Sequence, residues 1–161
     1  MRHNTPYGAG AYAAIGIETG VAAADPLGLV IMLYDGAIQA ILHAEGRLAA
    51  RDVEGRGRFT SKAIDIVKQG LSASLDTRAG GELAQSLDSL YDYMIRRLFE
   101  ANRDSSVAAF GEVKTLLSEL RGAWLLLRES SGGNANSLGR AARSDAAPAR
   151  ALVALATRSA A

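Results

Sequence analysis

The only imidazoles in this chain are His3 and His43, so any metal or acid–base chemistry built on histidine has to start from them. A di-metal site inside a helical bundle needs inward glutamates and Glu-x-x-His pairs. Neither histidine has Glu three positions before it. There is no cysteine, which excludes disulfides, thiolate catalysis and thiolate-bound metals together. With no convergent His–carboxylate set, nucleophilic catalysis has no visible machinery. Gly8-Ala9-Gly10 and Gly55-Arg56-Gly57 have the Gly-x-Gly form, but no strand precedes either, and Gly80-Gly81 lacks the lysine of a phosphate loop. Arg96-Arg97 is the one paired basic feature in the helical part of the chain. It reads as a solvated face or a binding pair, with Asp92 and Glu100 each at i,i+4 spacing from Arg96. No cofactor, no metal and no enzymatic activity are expected.

The residues that could do something else are apolar, and they lie on helices. From Leu83 to Asn102, apolar side chains recur at Leu83, Leu87, Leu90, Met94 and Leu98, with Tyr91 and Ile95 beside them. Gaps of three and four make one stripe of an α-helix. Tyr91, Tyr93, Ile95 and Phe99 widen that stripe beyond what one neighbouring helix covers. Either several helices surround it or part of its face is kept for a partner.

Three further helices accompany it. Asp25-Pro26 opens the first: Asp caps a free backbone N–H, and Pro lacks an amide proton that would have been unpaired anyway. It is predicted to run to about Ala50, and Leu27 to Tyr34 is apolar nearly all round, the mark of a helix buried in a bundle or covered by another chain. After the turn at Arg51 to Gly55, with Asp52 as candidate cap, a second helix over about 54–75 carries Phe59, Ala63, Ile66, Val67, Leu71 and Leu75 on one side, with Ile64 off the stripe. Gly80-Gly81 breaks the pattern. Asp104 or Ser105 is the expected cap of the fourth helix, with a stripe of Val107, Phe110, Val113, Leu117, Leu120, Trp124 and Leu127. His43 falls among helix-facing residues and reads as structural or surface. Four helices joined by loops of a few residues predict an all-α, antiparallel up-down four-helix bundle.

The 161 residues suit one such domain with appendages: an arm over 1–24, the bundle over 25–129 and a tail over 130–161. The net charge of +1 gives no reason to expect nucleic acid or a membrane surface. It conceals an asymmetry, with 14 basic and 16 acidic residues up to Glu129, then four arginines against Asp145 in the tail. No basic region followed by an apolar run opens the chain, and the longest strongly apolar run, Leu29 to Leu33, is far short of the ~20 residues of a membrane span. A cytosolic protein is expected, without membrane insertion. The arm is interrupted by Gly8, Gly10, Gly16 and Gly20, each unfavourable in a helix by roughly 1 kcal/mol relative to Ala. It is either a disordered leader or a segment that lays Tyr7, Tyr12 and Ile15 over an apolar groove. The tail, rich in Ala and Arg, is expected to be disordered, its cluster at Leu152, Val153 and Leu155 being too short for an isolated helix.

Asp25-Pro26 followed by Met32-Leu33-Tyr34-Asp35-Gly36-Ala37-Ile38 resembles the first-helix signature of the FliS family of flagellin secretion chaperones. Ser74-Leu75-Asp76, Gly80-Gly81-Glu82, the block from Leu87 to Met94, Arg96-Arg97-Leu98 and Ala101-Asn102 are similar to its third-helix region. Tyr7, Tyr12 and Val21 resemble its tyrosine-bearing arm. The chain departs at Asp25, where the family commonly has Ser, and in the tail from Ser130. The resemblance implies a cytoplasmic, ATP-independent chaperone that binds the C-terminal segment of flagellin, blocks premature polymerisation and delivers it to the flagellar type III export apparatus. The partners implied are that segment, the export gate protein FlhA with flagellin bound and, in some members, the anti-sigma factor FlgM; a homodimer stays open. The rival reading is a regulatory adaptor with FlgM or another flagellar regulator as its main client. The expected partner-binding residues are Tyr7, Tyr12 and Ile15 in the arm, with Met32, Leu71, Leu75, Leu87, Tyr91, Met94 and Leu98 as groove candidates that also fit bundle core.

Overall fold

The computed structural model describes residues 25–133, so Tyr7, Tyr12, Ile15 and the tail from 134 lie outside the described residues. Helix α1 spans Pro26–Ala49 and is capped by Asp25, whose Oδ1 accepts from the Gly28 amide at 3.0 Å. Helix α2 spans Val53–Asp65 and starts the same way, with Asp52 Oδ1 accepting from Gly55 N at 2.9 Å. The glycine three residues after each cap has a steric reason. A Cβ would lie 2.7 Å from the Asp25 carboxylate at Gly28 and 2.3 Å from that of Asp52 at Gly55.

Helix α3 runs over Gly81–Asp104 and α4 over Val107–Gly133. The cap of α4 is Ser106, one residue later than expected: its Oγ accepts from Ala109 N at 3.1 Å. Ser105, expected as a cap, instead takes the left-handed conformation (φ 54°) that ends α3, with Ser106 N reaching back to Ala101 O at 2.9 Å. Arg51 plays the same part after α1 (φ 57°), where Arg51 N bonds Leu48 O at 3.1 Å and Asp52 N bonds Arg47 O at 2.9 Å. Both turns are Schellman closures, which satisfy the last carbonyls of a helix. α4 also continues past Glu129, where the bundle was expected to end, as far as Gly133.

The predicted second helix is continuous only in part. From Ile66 to Leu71 the chain widens into a π-helix, and Ser72–Ser74 tightens into a 3-10 turn before the loop to α3. Asp76 organises that loop by accepting from the Arg78 and Ala79 amides at 3.0 Å each.

The helices form a ring in which α1 packs on α2 and α4, and α3 packs on the same two, giving the antiparallel bundle that the short loops predict. Its interior holds Leu33, Tyr34, Ile41, Ile66, Val67, Tyr91, Met94, Leu98, Phe110, Val113 and Leu117, all but sealed from solvent. Each large apolar side chain enclosed this way contributes roughly 1.5–3 kcal/mol. Ile64, off the predicted stripe, is buried as well. Among the described residues α1 is also long and apolar enough to cross a membrane, and half of it is buried within the bundle.

A row of ion pairs follows the seam between the first and last described helices. Asp25, Asp35 and Glu45 on the α1 side pair with Arg128, Arg121 and Lys114 of α4 in antiparallel order, the last at 2.6 Å. Every acid of this ladder lies on one side of the seam and every base on the other, so a slip of α4 along α1 would break the set at once.

Candidate functional site

The bundle is closed at one end by the α1–α2 and α3–α4 turns. Arg56 joins them, donating from Nε to Asn102 Oδ1 at 3.0 Å and from Nη1 to Ser105 Oγ at 2.8 Å. Toward the other end, where α2 gives way to the π-segment, an apolar cleft opens among Val30, Leu33, Gly70, Leu71, Ser74, Leu75, Tyr91 and Trp124. It holds about 280 Å³ of empty space, counting its open mouth. The π-turn is what brings Gly70, Leu71, Ser74 and Leu75 to the wall. An extra residue in the turn shifts the phase of everything after it, and such bulges are frequent at functional sites.

Of the seven groove candidates, the structure brings Leu71, Leu75 and Tyr91 together in this cleft. Leu87, Met94 and Leu98 go to the bundle core, with Met94 and Leu98 fully enclosed. They continue the inward row of α3, and four surrounding helices leave that row no open side. Met32 is half-buried on α1 and is not part of the cleft wall. Val30, Leu33, Gly70, Ser74 and Trp124 are lining residues that sequence reasoning assigned only to helices. Trp124, the single tryptophan, carried a signal: a large, rare side chain with a polar N–H on a core stripe.

Beneath the cleft three aromatic side chains from three helices are linked. Tyr34 Oη and Tyr91 Oη are 2.5 Å apart, and Trp124 Nε1 donates to Tyr34 Oη at 3.1 Å. This joins α1 to α3 across the diagonal of the ring and α4 to both. Burial pushes both phenols above the ordinary tyrosine range, Tyr91 further than Tyr34, so both keep their protons at neutral pH. The cleft is positioned by polar bonds around it: Ser72 Oγ bonds Asp88 Oδ1 of α3 at 2.5 Å, and Ser74 Oγ donates to Gly70 O.

The surplus width of α3 resolves differently. Phe99 is 60% exposed, and Tyr93 lies at the surface with its hydroxyl donating to Glu112 of α4. The pairing expected at Arg96 falls on Arg97, which reaches Glu112 at 2.6 Å and Glu100 at 2.7 Å. His43 stacks on Phe59 with ring centroids 4.8 Å apart, a surface contact between α1 and α2. Among the described residues no group of three or more His, Asp or Glu side chains could hold a metal ion.

A helical bundle with an apolar cleft of this kind is a scaffold suited to holding another chain. The comparisons with known proteins give that class a family. The chain belongs to the FliS family: the model of the flagellar protein FliS matches residues 8–131. The flagellar secretion chaperone FliS of Salmonella typhimurium is 46% identical over 120 residues, covering 74% of this chain and 89% of that relative. Its counterpart in Escherichia coli K12 is 42% identical, covering 73% and 86%. The flagellar secretion chaperone FliSB of Pseudomonas aeruginosa is 38% identical, covering 70% and 89%. The family role is a chaperone's, in flagellar export, and the fold is the four-helix bundle described above.

Proposed function

We propose that this chain is a cytosolic chaperone that binds the C-terminal segment of flagellin, keeps it from polymerising early and delivers it to the flagellar type III export apparatus, with FlhA as the docking partner of the loaded complex. The observation that supports this most is the apolar cleft walled by Leu71, Leu75, Tyr91 and Trp124. A client helix or extended segment that places apolar side chains in such a groove needs no catalyst, only exposed apolar rows at the right spacing. Ordering a disordered client consumes a few kcal/mol of the interaction energy, which keeps binding reversible and suits a carrier that must later let go.

Leu71, Leu75 and Tyr91 are the proposed contacts at the cleft, with Met32 on the neighbouring surface of α1. Tyr7, Tyr12 and Ile15 are proposed to cover the same apolar surface until the client displaces them, since exposed apolar patches of a few hundred Å² invite aggregation. The test is to mix the protein with its cognate flagellin on a sizing column and to follow filament growth by light scattering. The expected result is a 1:1 complex and suppressed growth, with Leu75→Glu abolishing both while its circular dichroism stays helical. Separate elution of the two proteins together with unhindered filament growth would sink the proposal.

A further inference from the structure

The described chain starts and stops beside the cleft. Asp25, the cap of α1, pairs with Arg128 near the end of α4, and Val30 and Trp124 of the same two helices line the cleft. α4 ends at Gly133, so Trp124 lies about 14 Å back along the axis at the usual helical rise. The tail therefore sets out from the cleft side of the bundle.

Beyond Gly133 the sequence carries one short apolar stripe. Ala149, Leu152, Leu155 and Ala156 recur at gaps of three and four, with Val153 beside them and Pro148 where a first helical turn favours it. Alone, a stripe this short is marginal as a helix; on an apolar wall it gains the burial it lacks. Residues 134–151 join Gly133 to Leu152, and a coil of that length spans about 25 Å, more than the way back to Trp124. Such a tether gives an effective concentration in the millimolar range, so a weak intrinsic affinity is enough.

Charge points the same way. Residues 65–92 supply Gly70, Leu71, Ser74, Leu75 and Tyr91 to the cleft. They carry Asp65, Asp76, Glu82, Asp88 and Asp92 against Lys68 and Arg78, a net of −3, and each of those acids is at least partly exposed. The tail from residue 134 carries Arg140, Arg143, Arg150 and Arg158 against Asp145, a net of +3. Opposite fields of this kind steer one segment onto the other. The arm over 1–24 has only Arg2 against Glu18, so charge selects the tail and not the arm.

We propose that residues 148–156 fold back onto the cleft of their own bundle, with Leu152 and Leu155 against Leu71, Leu75 and Trp124, and that a client must displace them to bind. The tail is then a second cover, beside the arm, and its arginines make it a salt-sensitive one. These residues lie beyond the part of the chain that matches the family. The seat on the cleft needs no client; the competition with a client rests on the function proposed above.

The composition makes the test clean, since the chain has no cysteine and one tryptophan. A nitroxide label on Ala154→Cys of the full chain, on the side away from the stripe, is read at the single indole signal of Trp124 by NMR. The label should broaden that signal, and Leu152→Ser with Leu155→Ser, or high salt, should restore most of it. The same broadening with and without the two serines would overturn the proposal. So would broadening from a label on Ala14→Cys alone, which would give the cleft to the arm. Broadening seen only when labelled chains are mixed with unlabelled isotope-enriched ones would give it to a second copy, and would overturn the proposal equally. In calorimetric titrations the double serine variant should bind cognate flagellin about 3- to 10-fold more tightly than wild type, as a cleft open about a third to a tenth of the time requires. Equal affinities would remove the competition. Restored broadening without any flagellin binding would bring down the functional reading and leave the tail in its seat.

Discussion

The two ends of the bundle are built on opposite principles. At the turn end, two left-handed residues close two helices, Asp52 and Ser106 cap two more, and Arg56 ties the turns together. At the cleft end, Asp25 caps α1, but α2 abandons α-helical geometry at Ile66, and α3 begins at Gly81 after a Gly80 that offers no side-chain cap. The first end satisfies its backbone locally, with Val53, Phe99 and Val107 left exposed at its surface. The second leaves a hollow among eight residues of α1, α3, α4 and the segment that joins α2 to α3. The locally satisfied turns and the apolar cleft therefore lie at opposite ends of one small domain.

Paired truncations give the sharpest break of that contrast. Leu98→Ala, at a fully enclosed site, is expected to cost about 2–5 kcal/mol in chemical denaturation. Leu75→Ala at the half-buried cleft wall should cost under about 1 kcal/mol and yet weaken client binding far more than any surface alanine. If the two cost the same stability, the division between the ends is wrong. A smaller effect of opposite sign is expected at the turn end. Arg51 holds φ 57° and is exposed, where an L-residue is disfavoured by roughly 1–2 kcal/mol and glycine is not. Arg51→Gly should raise stability by about 0.5–1 kcal/mol once the extra chain entropy of glycine is offset. An unchanged or lower denaturation midpoint would contradict the closure described for α1.

The smallest effect is a pH dependence on the α3–α4 seam. The Glu112 carboxyl is held below its usual range, first by the Tyr93 hydroxyl that donates to it and then by the Arg97 guanidinium. A carboxyl whose folded pKa is depressed contributes stability that is complete above its unfolded value, about 4.3, and is lost as pH falls through the folded value. Wild type should therefore lose more stability than Glu112→Gln on acidification below about pH 5. Parallel pH profiles for the two would show that the seam contributes nothing measurable.

Most of the architecture could be read from the residues. Asp25-Pro26 opened α1 as predicted, the row at Leu87, Tyr91, Met94 and Leu98 faced inward, and short loops set antiparallel neighbours. What could not be read were features that depend on partners distant in sequence. Arg96 and Arg97 are indistinguishable by local spacing, and only the position of Glu112 on α4 selects Arg97. The π-turn was equally hidden. Periodicity places apolar residues on a face but does not register one extra residue in the hydrogen-bond ladder, so Leu71 and Leu75 looked like two further members of a regular stripe. The cleft residues followed from that: sequence placed Leu71, Leu75 and Tyr91 among the candidates but could not separate them from Met94 and Leu98, since core and cleft share one helical face.

The seam between α1 and α4 has a consequence for how the protein is made. α1 leaves the ribosome early, with a length and apolarity that would let it pass for a membrane segment. Its charged partners Lys114, Arg121 and Arg128 and its aromatic neighbour Trp124 all lie on α4, the last of the described helices. During translation α1 must therefore wait, partly uncovered, for nearly the whole domain to follow it.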